Sequence, residues 1–344
     1  MAVIALAIAG ATAWQLRPSY GGARGPSEFD LRGEYEWSRR TPESLGRAVE
    51  AFTQAIVADP RDARAFAGLS RCYNLLREFS VLPDAVAYPK AEAAARRAIA
   101  LDDKLAGAHA SLGFDEFYGS WRFADGLREF ERAIALEPGN GTWRQWYANA
   151  LSSLGRHPDA IREIDRAQSL SSGSASVMAD RARIYFVAGR REQGLDILRA
   201  VEKAEPSFLS AHTYLATSLQ AMGDDAGFLQ ETRMAAKLRG DADAEAMAEA
   251  GERGLAAGGR RGMLAAIAAV QRAALAAGRG DEFRVAESYA AAHDAPRAVA
   301  ALERSLRKRE PALLGVKTED VFQPMAGDPG YRAIVRAVGF DKAG

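Results

Sequence analysis

The sequence predicts an all-α fold, an α-solenoid of helix-turn-helix repeats, and three observations predict it. Alanine supplies 72 of the 344 residues; it is the best helix former and a poor strand former. A set of four positions with gaps of 4, 3 and 5 residues recurs along the chain, and its last four occurrences end at 138, 172, 206 and 240, a constant step of 34. Each set closes on Pro, Gly or Ser, and the last three follow a Gly-bearing turn, so they are bounded as helices are.

Taken in order, the chain opens on residues 1–17 with an apolar stretch that carries no charge from Met1 to Leu16. A membrane-spanning helix needs about 20 apolar residues, so the stretch falls a turn short. It reads as an anchor, whole or beginning part-way through a longer protein's membrane helix. A signal peptide and a soluble helix are the alternatives: Ala11-Thr12-Ala13 before Trp14 matches an A-x-A cleavage site, but no basic n-region precedes it. Arg17, Arg24, Arg32, Arg39 and Arg40 follow, and the positive-inside rule alone would keep the body in the cytoplasm. The expectation is a membrane-anchored body on the periplasmic side, with secreted, periplasmic and cytoplasmic placements as alternatives. Residues 18–29, with Gly21, Gly22 and Gly25 between Pro18 and Pro26, read as a flexible linker.

The repeats occupy 30–310, about seven to eight hairpins. The sets are Ala48, Phe52, Ala55, Pro60; Gly126, Phe130, Ala133, Pro138; Ala160, Ile164, Ala167, Ser172; Gly194, Leu198, Val201, Pro206; and Phe228, Thr232, Ala235, Gly240. Gaps of 4 and 3 put them on one helix face. A helix with Leu69 and Tyr73, Leu112 and Gly113, Tyr147 and Leu151, Tyr185, or Leu215 and Leu219 precedes each. Turn residues such as Gly155-Arg156-His157-Pro158, Gly189-Arg190 and Gly223-Asp224 separate the two. Small residues let paired helices cross closely, and large ones fill the gap between units.

At these residues the chain resembles the tetratricopeptide repeat, a Leu-Gly-Tyr helix followed by an Ala-Phe-Ala helix and a terminal Pro. The Trp of that pattern is absent; His109 and His212 stand in its place, where packing is expected. The second unit runs long, its Ala91, Ala95, Ala98, Asp103 set arriving 9 residues late, so the Ser80–Asp84 region is expected to be an extended loop. Residues 241–280 are Ala- and Gly-rich, a degenerate hairpin with a thin core. Residues 311–344 do not repeat. Their Val321-Phe322-Gln323-Pro324-Met325, Asp328-Pro329-Gly330-Tyr331 and Gly339-Phe340 resemble the closing cap of a bacterial group in which a membrane helix joins a winged-helix DNA-binding domain to a tetratricopeptide half. The resemblance spans the whole chain but includes no DNA-binding domain.

Chemistry is sparse. Forty-five Lys+Arg against 45 Asp+Glu, 38 of the cations Arg, leave zero net charge, so no nucleic-acid footprint is expected. Cys72 is alone and is expected to pack. The four histidines show no ligand spacing, and no cofactor or metal is expected. P-loop, Rossmann, HExxH, CxxC and GxSxG motifs are missing, so the chain is expected not to be an enzyme. Asp241, Asp243, Glu245 and Glu252 fall at EF-hand positions, but Ala246 stands where the turn needs Gly, which favours an acidic helix start. The run Arg304–Arg309 reads as a solvated helix end.

What the resemblance implies is a groove along the first helices. Its groove-facing positions map onto Arg64, Arg71 and Asn74; Phe114, Phe117 and Tyr118; Gln145 and Asn149; Arg183 and Phe186; and Thr213, Thr217 and Gln220. Aromatic residues among Arg and amides suit a peptide or protein segment. The alternative for these aromatics is that they fill the inside of a tight coil. The lysine of carboxylate-tail clamps is replaced by Ala67, Ala110, Gln145, Ala179 and Thr213. The expected function is a non-enzymatic, membrane-tethered protein interaction scaffold; the alternative is the sensory half of a transmembrane transcriptional regulator. Nothing in the sequence fixes the oligomeric state.

Overall fold

The computed structural model describes residues 25–78 and 82–340. Among them there is no strand, and the helices pack in successive antiparallel pairs. The pairs are α1 (Glu28–Ser38) with α2 (Pro42–Ala58); α3 (Ala63–Glu78) with α4 (Asp84–Leu101); and α5 (Ala106–Phe114), continued by a π-helical turn Asp115–Gly119, with α6 (Phe123–Leu136). Then come α7 (Gly141–Ser153) with α8 (His157–Leu170), α9 (Ala175–Val187) with α10 (Arg191–Ala204), and α11 (Leu209–Met222) with α12 (Asp225–Arg239). A long helix, α13 (Ala242–Ala276), precedes the pair α14 (Glu282–Ala291) and α15 (Ala295–Lys308). Two 3-10 segments, Pro311–Gly315 and Asp320–Met325, and α16 (Pro329–Val338) finish the fold. The hydrophobic stretch 1–17 lies outside the described residues, and among those described no helix is long and apolar enough to cross a membrane.

Local chemistry sets the helix ends. Ser27 and Thr41 form capping boxes with Asp30 and Ser44, and Asn140, Ser174, Asp224, Asp241, Asp281, Asp294 and Asp328 each accept a hydrogen bond from a first-turn amide. Asp241 thus opens α13, and Asp243 pairs with Arg279 at 2.6 Å, so the EF-hand-like acids make a helix start. Between first and second helices, Gly155, Gly189 and Gly223 adopt φ of 76°, 88° and 84°. That left-handed turn lets the amide of the next residue reach back to the carbonyls of Leu151, Tyr185 and Leu219 at 2.9, 2.8 and 2.9 Å.

The recurring set forms the seam. Phe52, Phe130, Ile164 and Leu198 are completely buried, as are Ala48, Ala133, Ala160 and Ala167. Between α5 and α6 two backbones touch: a Cβ on Gly126 would lie 2.8 Å from the Gly113 carbonyl, and one on Gly113 would lie 2.9 Å from that of Gly126. Gly194 meets the Ala182 carbonyl in the same way, at 2.7 Å. In the first unit the Phe52 ring is wedged between Gly33 and Gly68, with no room for a Cβ on either. Cys72 packs in that cluster, fully buried, and burial pushes its thiol up to about 12.

Two regions depart from simple repetition. In the second unit α4 begins at Asp84 and runs 18 residues with Pro89 inside it, burying Ala91, Ala95 and Ala98; residues 80 and 81 of the expected loop lie outside the described residues. In α13 the backbone breaks at Gly258 and at Gly259, whose φ of 62° and ψ of −157° only glycine adopts readily. The halves then run antiparallel, since Gly254 abuts Gly262, Gly251 abuts Ile267, and Gln271 reaches Met247. They form a hairpin with a glycine turn, its core supplied by Met263, Leu264 and Ile267.

The last segment folds back on the middle of the coil. Phe322, Tyr331, Ile334 and Phe340 join one core cluster with Phe117, Phe123, Leu151 and Ile164. Phe340 stacks on Phe123 at 5.6 Å, and Lys317 donates to the Leu154 carbonyl at 3.0 Å. Arg191 pairs with Asp320 at 3.0 Å, and Tyr331 donates to the Val316 carbonyl at 2.7 Å. The basic run takes part: Arg309 donates to the Ser120 carbonyl at 3.0 Å and stacks over Trp121, while Arg304 and Lys308 hold Glu282 at 2.9 and 3.2 Å.

Because the Gly113/Gly126 contact is backbone to backbone, no side-chain rotation relieves an added methyl. Gly126→Ala is expected to destabilise the protein by about 1–3 kcal/mol, seen in urea unfolding as a lower midpoint at unchanged slope. A loss below about 0.5 kcal/mol, the level of an ordinary surface change, would refute the close crossing.

Candidate functional site

Successive first helices touch one another, α1 with α3, α3 with α5, α5 with α7, α7 with α9 and α9 with α11. They form an inner layer, and the end of α3, the start of α4, the π-helical turn, α11 to α14 and Pro311–Ala312 line a cavity of about 760 Å³. Its wall runs from Arg77, Asp84, Tyr88 and Tyr118 on one side to Thr213, Thr217, Gln220, Arg239, Met247, Gln271, Arg284 and Glu287 on the other. A second, shallower groove of about 580 Å³ runs between α12 and the first half of α13, along Leu229, Met234 and Leu255.

The predicted groove residues separate into three groups. Arg71, Asn74, Phe117, Gln145 and Phe186 are buried. Arg71 pairs with Glu34 and stacks on Trp37 at 4.7 Å, while Phe117 packs edge-on to Phe123 at 5.0 Å, so the fold itself uses them. Phe186 joins the cluster with Leu195 and Leu198. A second group makes a polar hub. Asp180, absent from the sequence prediction, accepts hydrogen bonds from Gln145 and Asn149 at 2.7 Å each and from Tyr214 at 2.9 Å. Arg183 donates to Asn149 at 3.1 Å and lies over the Tyr214 ring. Phe114 stacks with Tyr118 at 4.6 Å and with Trp146 at 5.5 Å. The third group is open: Tyr118, Thr213, Thr217 and Gln220 line the cavity. Thr213 and Thr217 donate their hydroxyl hydrogens to carbonyls of their own helix. Arg64 is exposed at the start of α3 and lines neither cavity nor hub.

Several titratable groups lie in or behind the wall of this lumen, and of them the sequence flagged only Tyr118. Burial holds Asp115, on the π-helical turn, well above the usual carboxylate range; Asn74 beside it draws the other way. Burial also pushes Tyr118 up to about 12. Across the lumen, burial raises Glu287 to about 7 against the pull of Arg284, and the neighbouring carboxylate of Glu319 adds to the rise. Arg284 donates to both Glu287 oxygens at 3.2 and 2.9 Å. No motif marks Glu287, because the Glu319 carboxylate beside it comes from far along the chain.

The repeated histidines are explained. His109 Nδ1 lies 2.6 Å from Glu129 and its Nε2 2.9 Å from the Asp103 carbonyl; His212 Nδ1 lies 2.6 Å from Glu231 and its Nε2 2.8 Å from the Pro206 carbonyl. Each ties the first helix of its unit to the second and to the preceding turn, and both pack as expected. Cys72 is buried in another unit, with its thiol held protonated by burial.

No family model matches the chain. Over 146 residues, 42% of the chain, it is 26% identical to the transcriptional regulator HilA of Salmonella typhimurium, and it spans only 26% of that regulator's length. Among solved structures, YrrB, described as a TPR protein with an unusual peptide-binding site, is 20% identical over 58% of this chain and 98% of its own, with a TM-score of 0.35. Yeast Tom70 is 14% identical over 93% of this chain and 69% of its own, with a TM-score of 0.47. The two solved structures are too distant to carry more than the likeness itself. The tetratricopeptide character rests on the 34-residue register and the paired helices already described.

Glu287 gives the lumen a measurable titration. Its folded pKa of about 7 lies above the ordinary glutamate value, about 4.3, so the folded state holds the proton more tightly. Stability is therefore full below the unfolded value and falls as pH rises through about 7. Melting temperatures taken at pH 5, 6, 7 and 8 are expected to fall less steeply in Glu287→Gln than in the wild type; parallel curves would contradict the assignment.

Proposed function

We infer that this chain is a non-catalytic binding module that receives a protein or peptide segment in the lumen of its coil. The observation carrying the reading is the mixed wall of the cavity. Unlike the filled aromatic seam beside it, the stretch from Tyr118 to Thr213, Thr217 and Gln220 is open and offers apolar and hydrogen-bonding surface together. Five carboxylates and three arginines line that wall; Asp84 pairs with Arg77, Glu287 with Arg284 and Asp243 with Arg279 off the wall, which leaves Asp241 and Asp281 against Arg239. The surplus favours a segment that brings a basic residue. Zero net charge speaks against nucleic acid. Tethering through residues 1–16 on the periplasmic side belongs to the same reading: it would present the lumen to partners beside a membrane.

A second reading, the sensory half of a transcriptional regulator, is supported by the match to HilA. It differs in one observable. An in-frame winged-helix sequence immediately upstream of the first codon favours it, and absence of one removes it.

The lumen reading is tested by selecting peptides from a random displayed library and comparing wild type with Thr217→Trp, which places an indole in the cavity at an exposed, helix-facing position. Selected peptides are expected to carry Lys or Arg and to lose at least about 10-fold in affinity, or 1.4 kcal/mol, against the variant. Peptides that bind both forms equally would place the site elsewhere.

A further inference from the structure

The two histidine sites are built alike yet differ in one respect. At His109 the position four residues before the carbonyl-donating residue is Ile99, which packs with Ala67, Ala98 and Ala108. At His212 that position is Glu202, on the second helix of the preceding unit. Its carboxylate, the His212 imidazole and the Glu231 carboxylate bring one ligand atom each within 4.8 Å of one another. Glu231 and His212 are buried, and Glu202 is half-buried. No hydrogen bond or ion pair engages Glu202 among the described residues. The His109 site has Arg132 close enough to oppose the charge of its imidazole, whereas the matching position three residues past Glu231 holds Met234. The second site therefore gathers two carboxylates around one imidazole, with no arginine at the position that Arg132 holds in the first.

We propose that Glu202, His212 and Glu231 form a binding site for a first-row divalent cation, of which Zn²⁺ is the commonest with such ligands. One nitrogen and two carboxylate oxygens suit Zn²⁺, which bonds them at about 2.0–2.2 Å and leaves a fourth position to water. The ring is already oriented for it. Nε2 faces the Pro206 carbonyl at 2.8 Å, the outer hydrogen bond that holds a ligating histidine in its tautomer, and this leaves Nδ1 facing Glu231. Ligand atoms bonded tetrahedrally stand roughly 3.4 Å apart. Closing on a cation therefore separates Nδ1 from Glu231, which are now 2.6 Å apart, and draws Glu202 inward by side-chain rotation. The metal takes the place of the proton shared between Nδ1 and Glu231, and that proton leaves to solvent.

The three ligands sit on α10, α11 and α12, at the junction between two separate core clusters. One runs through α9, α10 and Leu215 and Leu219 of α11; the other runs from Ala216 into α12 and α13. A cation there would tie the fifth unit to the sixth where apolar packing passes from one cluster to the other.

The test titrates ZnCl2 into the chelator-treated full chain by calorimetry, with melting temperature as a second readout. One saturable site and a raised melting temperature are expected in the wild type and in His109→Gln. Glu202→Gln, which removes a carboxylate without any hydrogen bond to lose, is expected to weaken binding at least about 10-fold. No saturable binding, binding undiminished in Glu202→Gln, or binding abolished by His109→Gln would each overturn the assignment.

Discussion

The return of residues 311–340 onto α5 to α9 is the constraint on which the rest depends. Helical hairpins stacked one on another make an open ribbon whose inner face is accessible along its whole length. Here Phe322, Tyr331, Ile334 and Phe340 share a core with Phe117, Phe123 and Leu151, nearly two hundred residues earlier in the chain. Arg191 with Asp320, Lys317 with the Leu154 carbonyl and Arg309 with the Ser120 carbonyl fix the orientation of that contact. Burial of several large side chains, each stabilising by roughly 1.5–3 kcal/mol, supplies the energy; the polar contacts select the register. The ribbon becomes a coil with a lumen, and every inward-facing side chain acquires neighbours from elements far away in sequence.

That consequence explains what was legible in the sequence and what was not. Phe52, Phe130, Ile164 and Leu198 could be read because their neighbours lie within one hairpin or the next, so a 34-residue register is enough to place them. The turns at Gly155, Gly189 and Gly223 are legible for the same reason, and so is the acidic helix start at Asp241. The groove was legible only as a face. Arg71 and Phe117 are claimed by Trp37 with Glu34 and by Phe123, and no spacing rule announces those partners. Asp180 and Glu287 escaped notice because their environments are assembled across units. Exposed Arg64 shows the opposite limit: a correct position on the repeat at a place where the coil does not close around it.

The inner face thus divides its work. From α5 to α9 it is spent on structure: the aromatic stack of Phe114, Tyr118 and Trp146, and the hub in which Asp180 takes three donors, hold successive first helices together. From α11 to α14 the first-helix residues are Thr213, Thr217 and Gln220, and Thr213 and Thr217 satisfy themselves on their own helix. Small polar side chains with local partners cannot span the gap to the next unit, so the lumen stays wide there and charged side chains can project into it. Selectivity would then come from the carboxylates at the starts of α13 and α14, whose helix dipoles temper their charge.

The histidine pair shows how a repeat lets one position serve two ends. His109 and His212 inherit the same frame: a carboxylate on the second helix and a carbonyl in the turn before. In that frame an imidazole closes a hairpin without the bulk of the Trp that tetratricopeptide repeats carry there. What surrounds the frame is free to change, since the preceding helix contributes one side chain to it. Where that side chain is Ile99 the site belongs to an apolar cluster and the histidine only packs. Where it is Glu202, a second carboxylate meets the same oriented ring, and the surplus of negative charge can be relieved by solvent, by a proton or by a cation. Of these, only the cation makes use of all three ligand atoms at once.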